Sequence, residues 1–251
     1  MVEYRRAGWL FGGGAYIGGE GCSMVTYTVE NYLKAIYRLQ QDGSPAATNA
    51  IADRLGVRAA SVTAMLQQLS EQGLADYTPY RGAYLTEAGL AAALRVIRSH
   101  RLIELYLHRF LDVPWDRVHD EAERLEHAIS PYLEERIDAK LGYPRFDPHG
   151  DPIPSSTGEV PVQELVPLYD VPPDTEAVVR HIPDEDPEVL RYAASLGLVP
   201  GTVVRMIRRE PFDGPAFLNV VSQAGEGESS HVVGANIARQ IYVGQPTAAS
   251  T

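Results

Sequence analysis

Apolar positions recur at three- and four-residue intervals through the first part of the chain and in short runs through the last, so helices precede strands. Val29, Tyr32, Leu33, Ile36 and Tyr37 share one face of a helix predicted over Thr28–Gln41. After a loop with Gly43 and Pro45, Thr48 caps a short helix through Leu55, which Gly56 ends. Val62, Met65, Leu66 and Leu69 then mark a third helix from Ala59 to Gln72, stopped by Gly73. Strand runs Leu74–Thr78 and Ala83–Thr86 flank the turn Pro79-Tyr80-Arg81-Gly82. Three helices and a hairpin predict a winged helix-turn-helix. Thr86 caps a long helix to Leu111, with Leu90, Leu94, Ile97, Leu102 and Leu105 on its core and dimer faces. Helices Asp116–Ile129 and Ser130–Leu141 follow.

Residues 144–161, PRFDPHGDPIPSSTGEVP, are too proline-rich for a helix interior and read as an extended linker. Beyond it the runs Glu164–Tyr169, Ala177–Ile182, Thr202–Arg208, Ala216–Ser222 and Gln240–Val243 are strand-like. One helix, Glu188–Leu196 capped by Gly197, interrupts them. Five short strands in such a span predict a small closed barrel. The fold class is mainly α with β. The expected divisions are a winged helix-turn-helix at 24–88, an all-helical domain at 89–143, a linker at 144–162 and a barrel at 163–244.

One helical stripe departs from the apolar rule. In Val118–His127, VHDEAERLEH, residues His119, Glu123, Glu126 and His127 fall at i, i+4, i+7 and i+8. Two imidazoles and two carboxylates are costly on a packed face unless water or a cation satisfies them, and a divalent metal does so compactly. A solvated acidic face is the alternative. His100 and Glu104, i and i+4 on the preceding helix, have a bidentate metal spacing, although such a pair also makes an ordinary surface hydrogen bond. The third helix opens with Arg58, Ala59, Ala60, Ser61 and Thr63, small and hydroxyl-bearing side chains that allow close approach to a major groove. Arg58, Ala60, Ser61 and Thr63 are the candidate DNA contacts there, with Tyr80 and Arg81 on the wing. A helical packing module that does not touch DNA is the competing reading.

The net charge of −11 argues against nucleic-acid binding until its distribution is considered. Residues 24–86 are neutral, with five basic and five acidic side chains; after residue 86 there are 15 basic against 26 acidic. The acidity therefore belongs to the later parts. No apolar run reaches the roughly 20 residues of a membrane span. The single cysteine, Cys22, excludes an intramolecular disulfide framework and a cysteine-rich zinc module, and fits a cytoplasmic protein. The glycine-rich start, residues 1–23, has neither a secretory signal nor a phosphate loop and reads as a disordered arm or an over-extended frame. The tail 245–251 reads as disordered.

A winged helix, a His/Glu stripe, a proline-rich linker and a small β-domain together resemble the diphtheria-toxin-repressor family of iron- and manganese-dependent transcriptional repressors. The resemblance runs from Val25 to Val243, through ENYLKAIY at 30–37, SVTAMLQQL at 61–69, YRGAYLTEAG at 80–89, SHRLIE at 99–104, VHDEAERLEH at 118–127 and DPHGDPIP at 147–154. It implies a homodimer formed through the fifth and sixth helices, an SH3-like β-barrel, and two metal sites. The ancillary site would use His100, Glu104 and His119, completed from the barrel by Asp184 or Glu185. The primary site would use Glu123, Glu126 and His127, with Asn31 from the first helix. Iron-responsive members carry a thiol-bearing residue where this chain has Glu123, and some relatives carry cysteine where it has Asp147. The harder carboxylate at 123 points to Mn²⁺ first and Fe²⁺ second. Asn31 stands where the manganese-responsive branch usually has an acid or methionine, so either affinity is lower or Asn31 does not ligate.

The resemblance implies a repressor in which metal switches the dimer to its operator-binding state, with half-sites about one turn, roughly 34 Å, apart. The alternative is a winged-helix regulator sensing a non-metal ligand. A metallohydrolase would need an open metal position, a base and a substrate pocket; no nucleophile elbow or second catalytic constellation is present, so no enzymatic activity is expected.

Overall fold

The computed structural model describes residues 26–221 and 227–245. The glycine-rich start and residues 246–251, with the readings attached to them, lie outside the described residues, as does Ser222. The chain divides into two compact units, one holding residues up to Ile97 with 156–158 and the other Arg98–Ser155 and Glu159 onward.

The first unit begins with α1 (Tyr27–Leu39), capped by Thr26, whose hydroxyl accepts from Val29 N at 3.4 Å. Then come α2 (Thr48–Leu55) and α3 (Ala59–Glu71). The predicted Thr48 cap is corrected: Ala47 occupies the cap position without a side-chain bond, and Thr48 is already helical. Gly56 closes α2 in the left-handed conformation. Leu33, Ile36, Ile51, Val62, Leu66 and Leu69 are fully buried together, so the three helical stripes meet in one core. The wing, β1 (Ala75–Thr78) and β2 (Gly82–Leu85), is an antiparallel hairpin. Thr86 caps α4 (Glu87–Leu111), accepting from Gly89 N at 3.1 Å. Gly89 is required by closeness: a Cβ there would lie 1.8 Å from the Leu74 carbonyl oxygen.

In the second unit α4 continues and is followed by α5 (Val118–Leu125) and α6 (Pro131–Leu141). The helix predicted over Asp116–Ile129 is shorter than expected. Glu126 is its C-cap and His127 lies in the turn beyond, so only His119 and Glu123 of the stripe are helical. Ser130 caps α6 by accepting from Leu133 N.

Residues 144–155 form no helix and are not a loose tether. Ile153 is buried with Leu102, Leu105, Ile137 and Leu141. From α4, Arg98 donates to the Pro154 carbonyl at 2.7 Å and pairs with Glu134 and Asp138 of α6. Arg101 donates to the Pro152 carbonyl and to Asp151. Gly150, at φ +92°, passes so close to the Arg180 carbonyl that a Cβ would sit 1.7 Å from its oxygen.

The β-domain has β3 (Val166–Pro167), β4 (Thr175–His181), α7 (Pro187–Ser195), β5 (Val203–Arg209), β6 (Ala216–Val221), β7 (Glu228–Val233), the single turn α8 (Ala235–Ala238) and β8 (Tyr242–Gly244). The expected closure into a barrel does not occur. The antiparallel sheet runs β3-β8-β4-β5-β6-β7, and its end strands do not pair with each other among the described residues. β7, ESSHVV, escaped the sequence reading because it is an edge strand with mostly exposed positions rather than an apolar run. Val179, Ile182, Leu190, Leu198, Val204, Met206 and Leu218 fill the core.

Replacing Gly89 by alanine is expected to lower the stability of the winged-helix unit by about 1–3 kcal/mol, because backbone must move to admit the methyl group. A thermal or denaturant melt checks this; an unchanged midpoint contradicts the close contact.

Candidate metal centre

The second unit gathers its acids and imidazoles at one place. α4 presents His100 and Glu104 on one face, four residues apart, and both are buried; Glu104 has no exposed surface. α5 supplies His119 one helical turn before Glu123, and the loop between β4 and α7 supplies Asp184. His100 Nε2 lies 3.0 Å from Glu104 Oε1 and 3.2 Å from His119 Nδ1. His119 Nδ1 in turn lies 3.3 Å from Glu104 Oε1 and 2.7 Å from Asp184 Oδ2. One donor atom from each of these four residues falls within 4.8 Å of the others. We refer to them as the inner cluster.

An outer cluster adjoins it. His100 Nδ1 is in close hydrogen-bond contact with Glu126 Oε2, and Glu126 Oε1 lies 3.0 Å from His127 Nε2. Glu123 Oε1 is 3.7 Å from His119 Nε2. His100, Glu123 and Glu126 again bring one donor atom each within 4.8 Å.

Two further side chains were not read as donors in the sequence. Asp147 and His149, both buried, form a third group with Glu104 within 4.8 Å. Asp147 Oδ1 accepts from the backbone N–H groups of His149 and Asp151, each at 2.9 Å, which fixes the turn. His149 Nε2 bonds the Trp115 carbonyl at 2.7 Å, its ring stacks on the Trp115 indole, and its own carbonyl accepts from Ile182 N. Their signal was DPHG itself, an acid and an imidazole two apart in a tight turn. The prolines masked it, and nothing local shows that the turn returns to α4.

The electrostatics favour a cation. Burial opposes ionisation of Glu104, but the charge and hydrogen bond of His100 and the bond to His119 overcome it and hold the carboxyl well below the usual range. Burial likewise opposes charge on His119; the Asp184 and Glu104 hydrogen bonds and their charges outweigh this and raise it to about 10. Burial, then the neighbouring charges of Asp151 and Glu104, push Asp147 well above its ordinary value against the pull of Arg101. Two buried atoms of this neighbourhood, Glu104 Oε2 and His149 Nδ1, have no hydrogen-bond partner. An unpaired carboxylate oxygen and an unpaired imidazole nitrogen on residues of one buried group are expensive in a protein interior and are what a divalent ion satisfies. The donor set of nitrogen and carboxylate oxygen, without sulfur among these residues, fits a first-row divalent ion of harder character.

The other expected donors fall differently. Glu185 is exposed and belongs to none of the three groups, whereas Asp184 beside it does. Asn31 is half-buried on α1 in the first unit. Of the candidate DNA contacts, Arg58, Ala60 and Ser61 are exposed at the start of α3, and Tyr80 and Arg81 are exposed on the wing. Thr63 is half-buried and its hydroxyl donates to the Ala59 carbonyl at 3.1 Å, so that proton is engaged within the helix. Tyr80 projects completely, with φ +64°.

Three family profiles match consecutive parts of the chain: the iron dependent repressor N-terminal DNA binding domain over residues 24–83, the iron dependent repressor metal binding and dimerisation domain over 86–155, and the FeoA domain over 166–244. The iron-dependent repressor IdeR of Mycobacterium tuberculosis is 33% identical over 189 residues, which cover 70% of this chain and 82% of that protein. The diphtheria toxin repressor of Corynebacterium jeikeium is 28% identical over 215 residues, 76% of this chain and 89% of its own. A manganese-dependent transcriptional repressor solved in complex with manganese superposes with a TM-score of 0.78 at 38% identity, covering 86% of this chain and 99% of that one. The manganese regulator SloR superposes at 0.66 with 30% identity, covering 86% and 98%.

Below pH 10 the metal-free protein holds a proton on His119, where a free imidazole would have lost it near 6.5. If His119 ligates, ion uptake at pH 7.5 must expel that proton, and affinity rises as pH rises. Calorimetric titration with Mn²⁺ in buffers of different ionisation enthalpy should show net proton release; a heat independent of buffer contradicts it.

Proposed function

Because this chain belongs to the iron-dependent repressor family, with that family's DNA-binding domain followed by its metal-binding and dimerisation domain, we propose that it is a manganese-responsive repressor whose inner and outer clusters hold the ions. Members of the family are metal-dependent transcriptional repressors, not enzymes, and this chain carries their operator-binding and dimerising parts. Among the described residues no helix is long and apolar enough to cross a membrane. The single observation that carries the assignment of the centre is the quartet His100, Glu104, His119 and Asp184, in which His100 and Glu104 are buried and one Glu104 carboxylate oxygen is left unpaired.

His100, Glu104, His119 and Asp184 would hold the inner ion, with Asp147 and His149 near enough to Glu104 to complete the set. Glu123, Glu126 and His127 would hold the outer one. A bound divalent cation would supply positive charge where several acid side chains converge. Without it Glu104 is balanced by His100 and His119, Asp184 by His119, and Glu123 and Glu126 lie against the imidazoles of His119 and His100. Carboxylate oxygens and imidazole nitrogens are the donors, and no thiolate is among them. This supports Mn²⁺ over softer ions, with Fe²⁺ next, although intrinsic affinities rise toward Cu²⁺ and selectivity then rests on geometry and supply.

Arg58, Ala60 and Ser61 at the start of α3, with Tyr80 and Arg81 on the wing, would face the operator; Thr63 would contribute its lone pairs or methyl group. Any coupling between ion and operator is reciprocal: if Mn²⁺ tightens DNA binding, DNA tightens Mn²⁺ by the same factor, typically about 1–3 kcal/mol.

Glu126→Ala and His127→Ala are each expected to abolish Mn²⁺-stimulated operator binding in a gel-shift titration while leaving a folded dimer; an undiminished response in either ends the proposal for the outer cluster. Asn31→Ala is the corresponding substitution on α1: lost Mn²⁺ affinity gives Asn31 a donor's role, and unchanged affinity removes it. Glu123→Cys should move the metal ranking toward Fe²⁺ or Co²⁺ in comparative calorimetry, and an unaltered ranking counts against the selectivity argument.

A further inference from the structure

His100 is the one side chain that belongs to both clusters. Its Nε2 faces Glu104 Oε1 at 3.0 Å and His119 Nδ1 at 3.2 Å, while its Nδ1 contacts Glu126 Oε2. The ring is 2% exposed, so water does not substitute for these partners. An imidazole that gives one nitrogen to an ion keeps a single N–H for the other, and an ionised carboxylate only accepts. The two faces of His100 therefore cannot be occupied independently.

We infer that His100 couples the two clusters by its tautomer: Nδ1–H is donated to Glu126, and the Nε2 lone pair is thereby committed to the inner ion. This rests on the metal-dependent reading above and adds an order to it. Glu126 Oε2 needs a donor, and the nitrogen in contact with it is Nδ1. With that proton kept at Nδ1 once an ion is bound, Nε2 is the nitrogen left for the inner ion, beside Glu104 Oε1 at 3.0 Å and His119 Nδ1 at 3.2 Å. The opposite tautomer would donate Nε2–H to Glu104 and turn a lone pair toward Glu123 and Glu126, giving His100 to the outer cluster instead.

Two consequences follow from the first arrangement. Glu126 meets the His100 ring through Oε2, and its Oε1 faces His127 Nε2 at 3.0 Å in the outer cluster. The carboxylate behind the ring also makes Nε2 a stronger donor, in the manner by which outer-shell carboxylates tune metal-bound histidines. Glu126 is thus a ligand in the outer cluster and a positioning residue for the inner one, and His100 is the reverse.

The test uses the full chain stripped with a chelator and titrated with Mn²⁺ in a calorimeter. His127→Ala disables the outer cluster without touching His100, and the inner affinity should remain within about twofold of the parent. Glu126→Gln disables the outer cluster too, but removes the charge behind the ring and should weaken the inner site by about tenfold or more. Equal inner affinity in the two variants overturns the relay. A second measurement avoids substitution: in the parent chain labelled with ¹⁵N-histidine and loaded with diamagnetic Zn²⁺ or Cd²⁺, His100 should show a protonated Nδ1 and a metal-bound Nε2, and the inverse pattern overturns the inference. A parent chain that takes up none of these ions overturns both this inference and the reading beneath it, whereas intact uptake with equal variants overturns the relay alone.

Discussion

Glu104 is a carboxylate with no exposed surface, placed among imidazoles instead of lysine or arginine. Removing a charge from water costs several kcal/mol even after relaxation, and only close, well-directed partners offset it. Histidine is a conditional partner: it balances the acid while it carries two protons and fails to do so once neutral. The second unit therefore has a centre whose electrostatic balance depends on what positive charge is supplied. Elements far apart in sequence, α4, α5, the 144–155 segment and the β4–α7 loop, each contribute a group to that balance.

Two arginines on α4 do the opposite work. Arg98 is surrounded by Glu134, Asp138 and the Pro154 carbonyl; Arg101 by Asp151, the Pro152 carbonyl and, at 3.8 Å, Asp147. Their forked donors meet several acceptors at once. They hold a proline-rich strap against the helix, and the strap in turn brings Asp147 and His149 to Glu104. One helix thus carries the arginines that fasten the strap on some positions and an imidazole of the metal cluster on another.

Much of this was legible in the chain. The winged helix emerged from Val62, Met65, Leu66 and Leu69 and from the Tyr80-Arg81-Gly82 turn, because local periodicity and turn chemistry decide such elements. His100 and Glu104 were legible as a pair because helical spacing puts them on a common face, whereas the meeting with His119 of α5 was implied only by the family resemblance. The stripe on α5 was only half right: spacing extrapolates a helix past Leu125, but Glu126 and His127 belong to its cap and the turn after it. Asp184 over Glu185 was undecidable from sequence, since adjacent residues in a loop point wherever tertiary contacts send them. His149 was invisible for a related reason, its nearness to Glu104 arising from a return to α4 that only long-range packing produces. β7 was lost because an edge strand has no second face to bury.

The stacking of His149 on Trp115 has an optical consequence. The chain contains two tryptophans, Trp9 and Trp115, and the indole of the latter lies 5.5 Å from an imidazole whose free nitrogen borders Glu104. Indole emission is sensitive to charge and quenching by a neighbouring ring, so this side chain is a resident fluorophore beside the centre. With Trp9 replaced by phenylalanine, the protein's own emission becomes a label-free gauge of events at His149, on timescales that titrations and gels do not reach.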